Sequence, residues 1–145
     1  MKKLIVVFLY LTIQLSASFD KDLLSIYENI LTDMFPNQTK IVVYVKDKYY
    51  KGILNYSSKL QVTSDVSKAM ICIATKQSTI KDIIASKNNV IIFVTNQHFL
   101  YDYEEVIGAF YWTKGRRQLL FIKSRMDRHH IVLPKEYDHF IIDEL

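Results

Sequence analysis

Few side chains in this sequence have the type and spacing that chemistry demands. The histidines are His98, His129, His130 and His139. A zinc site needs ligands on one face, such as histidines at i and i+4 with a glutamate base. The adjacent His129 and His130 diverge by about 100 degrees on a helix, so both are expected at the surface. No metal or other cofactor is expected. The nucleophile-elbow pattern G-x-S-x-G is absent, and so are the glycine-rich patterns that cradle phosphates. Asp102, Glu104 and Glu105 fall in one helical segment and read as its solvated face, so they form no acid–base pair. Cys72 lies within the apolar run Ala69 to Ala74 and reads as a small hydrophobe in a buried strand. As the single cysteine, it excludes an intramolecular disulfide framework and a cysteine-based zinc cluster. These residues give the expectation of a protein that is not an enzyme.

Two groups of residues remain that suit binding. Three polar loops follow apolar runs: Lys46-Asp47, Lys76-Gln77-Ser78 and Asn96-Gln97-His98. In an open parallel sheet ligands gather beyond the carboxyl ends of the strands, and Lys76 beside a helix start suits an anion. One reading is therefore a small-anion site built from Lys76, Gln77, Ser78, Asn96, Gln97 and His98. The other is a set of ordinary solvated loops with helix caps. The second group is Tyr111, Trp112, Lys114, Arg116 and Arg117, two aromatics and three cations around one tight connection. Aromatics and arginine are enriched at interface hot spots, and either Arg116 or Arg117 is placed to stack on Trp112. This group reads as a partner-binding surface, or as the solvated tip of a hairpin whose inner face is core.

The elements that must position these residues follow from periodicity. Leu23, Leu24, Tyr27, Ile30, Leu31 and Met34 recur at helical steps between Phe19 and Phe35, and Pro36 stops the run. The runs from Lys40 to Val45, Met70 to Ala74 and Val90 to Val94 read as buried strands. Leu60 to Thr63 is a weaker strand, and Tyr49 to Asn55 is a short amphipathic segment. Ser78 or Thr79 is the expected cap of a helix carrying Ile80, Ile83 and Ile84 inward. The loop Thr95 to His98 leads into a short helix ending near Glu105. Ile107 to Trp112 and Gln118 to Lys123 flank Gly115 as a β-hairpin. A basic helix over Ser124 to His130 and a last helix from Pro134 to about Ile142 complete the chain. The expected fold is α/β: a small three-layer sandwich, its sheet mostly parallel, with a C-terminal antiparallel β-hairpin at one edge.

Composition sets the compartment. The chain has 145 residues, 50% of them apolar, with 3 Gly and 2 Pro, which suits one packed domain rather than a disordered or low-complexity chain. Lys2 and Lys3, the apolar run Leu4 to Leu15 and the small residues Ser16-Ala17-Ser18 have the form of a secretory leader. Cleavage near Ser18 leaves residues 19–145 as a single α/β domain in the periplasm, whereas retention would leave an anchor. The apolar run is short of the roughly 20 residues a membrane helix needs. The formal charge of +4 falls on losing Lys2 and Lys3, which gives nucleic acid no basic stripe to bind.

A set of landmarks falls in a fixed order along the chain. The landmarks are Phe35-Pro36 before the strand Ile41 to Val45, and Cys72-Ile73 before a helix and the strand Val90 to Val94. Next come Val106 to Phe110 with Gly108, then Leu120 to Ile122, and last Ile131 to Leu133 before the final element. In this order the chain resembles the YfiR-like family of small periplasmic regulators, and the resemblance implies a non-enzymatic regulator that binds the extracytoplasmic domain of a membrane signalling protein and touches the membrane only through it. A homodimer is one arrangement it implies. The chain departs from the family in lacking its cysteine pairs, in Phe35 where tryptophan is usual, and in a glycine pair reduced to Gly108.

Overall fold

The computed structural model describes the backbone of residues 2–145 and the side chains of residues 18–145. The side chains of the leader expected over residues 1–18 therefore lie outside the described residues, apart from Ser18. Helix α1 (Lys2–Met34) carries the expected stripe. Leu23, Tyr27, Ile30, Leu31 and Met34 are all buried. After Pro36 come β1 (Ile41–Tyr44), α2 (Lys48–Leu54), β2 (Leu60–Thr63), β3 (Ile71–Ala74), α3 (Gln77–Ser86), β4 (Ile91–Val94) and α4 (His98–Asp102). The chain ends with β5 (Val106–Thr113), β6 (Arg116–Ile122), α5 (Lys123–Arg128), a 3-10 helix over Lys135–Phe140, and β7 (Ile141–Ile142).

All seven strands form one sheet in the order β2-β1-β3-β4-β5-β6-β7. Every pairing is parallel except β5 with β6. The strands β1, β3 and β4 are nearly all apolar because both faces are covered. One face bears Val43, Ile71, Ile73, Ile91 and Phe93 against α1, α2 and the 3-10 helix. The other bears Tyr44, Cys72, Ala74, Ile92 and Val94 against α3 and α4. This is the α/β sandwich that the apolar runs predict.

Several details depart from the sequence reading. The hairpin is not the sheet edge, because β7 pairs in parallel with β6, Phe121 against Ile141 and Ile122 against Ile142. The last helix from Pro134 is a 3-10 turn ending at Phe140. The open edge of β6 takes the backbone of Ile141 and Ile142 in place of a further helical turn. Neither Ser78 nor Thr79 caps α3. The cap is Lys76, with no side-chain bond to the helix, and Thr79 is buried. Helix α4 stops at Asp102, so Glu104 and Glu105 lie beyond it rather than on its face.

Two residues explain how β5 is seated. Phe93 pairs with Gly108 while the preceding Ile92 pairs with Val106, which leaves Ile107 as the extra residue of a bulge. A Cβ on Gly108 would come within 2.7 Å of Phe121 Cδ1 and 2.8 Å of the Leu120 carbonyl oxygen. Only glycine fits between these two strands. Arg125, 9% exposed, places Nη1 at 3.0, 3.0 and 2.8 Å from the carbonyl oxygens of Leu100, Tyr103 and Val106. It ties the end of α4 and the start of β5 to α5, and satisfies the buried carbonyls of Leu100 and Val106.

Candidate functional site

The hairpin turns through Lys114 and Gly115, both at positive φ, 50° and 74°. Two successive left-handed residues make the tight turn whose twist matches that of the strands. Thr113 pairs with Arg116 and Trp112 with Arg117, so the connection is shorter than the sequence reading had it.

Trp112 packs edge-on against Phe110, ring centres 4.9 Å apart, and against Phe19 at 5.6 Å. Its side of the sheet is the one that α1 covers. Arg117, the cross-strand partner of Trp112, is held by a carboxylate of α1. Its Nη2 lies 3.2 Å from Asp22 Oδ2, an exposed ion pair of about 0.2–1 kcal/mol. The first described turns of α1 thus hold the hairpin by one ring contact and one charge pair. Trp112 remains 38% exposed. Lys114 and Arg116 are exposed and enter no ion pair among the described residues.

A length mismatch opens a cleft beside this tip. Strand β4 has 4 residues and β5 has 8, and their last paired residues are Val94 and Ala109. Beyond that point β5 overhangs, and the chain after β4 turns away into α4. The Asn96 Oδ1 accepts a bond from the His98 N–H at 3.0 Å, which fixes that turn. The result is a cleft of about 460 Å³ lined by Thr95, Asn96, Gln97, His98, Tyr111 and Trp112. The structure therefore brings half of the expected anion group and the two aromatics of the expected partner surface into one place.

The rest of the anion group lies apart. Lys76, Gln77 and Ser78 are exposed in the first turn of α3 and do not line that cleft. The strand order reverses between β1 and β3, the position where doubly wound sheets gather ligands. There Lys46 Nζ is bound to Asp82 Oδ2 at 2.7 Å, and this bond, first among the causes, raises the lysine above its usual pKa.

The other reactive types are placed as follows. Cys72 is fully buried, and burial pushes its thiol up to about 12. Burial, and then the charges of Arg128 and His130, hold His129 below the usual histidine value. Glu105 lines a cavity with Arg128 and His129 at the opposite end of the strands. Among the described residues no group of three His, Cys, Asp or Glu could hold a metal ion, and no helix is long and apolar enough to cross a membrane.

Sequence reasoning missed a groove of about 700 Å³ between α1 and α2, with Tyr49, Gly52 and Tyr56 on its α2 side. Tyr49 lies in the first turn of α2 and Tyr56 just past its end, seven residues on, with Gly52 between them. That spacing was the available signal.

No family pattern matches the chain, and no curated protein does. Among solved structures the chain is similar to a protein from Vibrio cholerae described as a conserved domain protein, with a TM-score of 0.54 at 10% identity. The similarity covers 81% of this chain and 58% of that one. It establishes the α/β fold alone.

Proposed function

We propose that the chain is a non-enzymatic regulatory protein of the periplasm that acts by contact with the extracytoplasmic part of a membrane signalling protein. The leader pattern and the resemblance to YfiR-like regulators support the compartment and the class. One observation carries the contact surface. Trp112 is half-exposed on an overhanging strand, gripped from below by Phe110 and Phe19, with Lys114 and Arg116 unpaired beside it among the described residues. A rigid aromatic flanked by free cations is the composition of an interface hot spot, and it suits an acidic partner surface. The cleft with Asn96, Gln97 and His98 gives that surface a concave neighbour to fill.

The test is capture of a membrane protein by the tagged chain from solubilised envelopes, compared with the Trp112→Ala/Arg116→Ala variant. Loss of an aromatic and a charged contact should weaken capture by about tenfold or more, with the melting temperature of the variant retained. Undiminished capture by the folded variant would remove the hairpin tip from the interface.

A further inference from the structure

We infer that the groove between α1 and α2 is a binding site for a soluble anionic amphiphile, a carboxylate carried on an aliphatic or aromatic body. Its volume, about 700 Å³, lies in the range of small-ligand sites. Leu24 and Ile53 supply its apolar lining, and Tyr49 and Tyr56 stand beside them, Tyr56 being 86% exposed.

Gly52 is the informative residue. It sits inside α2, where glycine costs roughly 1 kcal/mol relative to alanine. Its φ is not positive, and a Cβ built on it would meet nothing within 4 Å. Neither turn geometry nor crowding requires glycine here. A side chain reaching beyond its Cβ from this position would fill the groove that Gly52 leaves open.

Charge selects the ligand. Lys21 and Lys48 both line the groove, and among the described residues neither enters an ion pair. Asp20 also lines the groove, and the carboxylates here are tied by hydrogen bonds within or beside it. Asp20 Oδ1 accepts the Tyr49 hydroxyl at 2.8 Å, and Asp47 accepts the backbone N–H groups of Tyr49 and Tyr50. Two lysines without an ion pair among the described residues, against the one lining carboxylate of Asp20, leave the apolar trough with a positive balance that complements an anionic head on an apolar body.

Anilinonaphthalene sulfonate is the probe, followed by its fluorescence on the folded chain and displaced with decanoate, decanol or decyltrimethylammonium. Decanoate should displace it best. Gly52→Phe should weaken probe and decanoate by about tenfold without lowering the melting temperature, whereas Gly52→Ala should keep binding. Lys21→Glu with Lys48→Glu should weaken decanoate by about fivefold and leave decanol unchanged. Equal binding by Gly52→Phe would overturn the proposal. So would displacement by decanol as effective as by decanoate, or binding confined to phosphatidylglycerol vesicles with none to monomeric decanoate.

Discussion

Single residues decide more of this molecule than their types suggest. Gly108 must stay without a side chain because Phe121 and the Leu120 carbonyl already occupy the space a Cβ would take. Gly108→Ala should therefore cost about 1–3 kcal/mol, read as a lower urea midpoint with unchanged m-value. Arg125 gathers three carbonyls, those of Leu100 and Val106 buried and that of Tyr103 partly buried. Arg125→Met removes a donor from all three, Tyr103 keeping a bond from the Val106 N–H, and should destabilise by about 3 kcal/mol. Cys72, buried with its thiol pushed up to about 12, should resist iodoacetamide in the native state and react once urea unfolds the chain. Its burial was legible, because an unbroken apolar run leaves a cysteine no exposed face. The role of Arg125 was not, since a basic residue in a basic helix reads as solvated until the carbonyls it answers are placed by other elements.

At the scale of elements, period and punctuation located nearly every strand and helix, while lengths and ends escaped. The apolar run from Val90 to Val94 announces β4, but nothing in it says that β5 will run four residues longer. The cleft beside Trp112 exists only because of that difference. The strand β7 was read as helix because Ile141 and Ile142 follow a helical pattern, and only the bare edge of β6 makes them a strand. The turn is where element and function meet. Lys114 holds a left-handed φ of 50°, a conformation that costs a non-glycine residue about 1–3 kcal/mol and that asparagine tolerates better. Lys114→Asn should raise stability by about 1 kcal/mol while removing one cation from the proposed contact surface. Higher melting temperature with weaker capture of the membrane protein is the expected pair of results. A gain in both would separate Lys114 from the interface.

Over the whole molecule, the two ends of the strands differ in kind. The carboxyl end carries the hairpin overhang and its cations. The amino end holds His129 with Arg128 and His130 close by and Glu105 in the same cavity. Burial and those two cations depress His129 in the folded chain, so the folded state binds its proton later than the unfolded one does. Stability is therefore complete above the unfolded value of about 6.5 and is lost as pH falls through it toward the folded value. Melting temperature should drop between neutral and mildly acidic buffer, and His129→Gln should lessen the drop. The central claim, that this chain works by touch through the hairpin tip at the membrane, has a more direct test. A photo-crosslinking amino acid placed at Trp112, and in a separate strain at the exposed Val132, would be irradiated in intact cells before fractionation. The account predicts an adduct with one membrane-fraction protein from position 112 and none from position 132. Equal adducts from both positions, or full-length chain with its leader found in the cytosol and crosslinked to nothing, would contradict it.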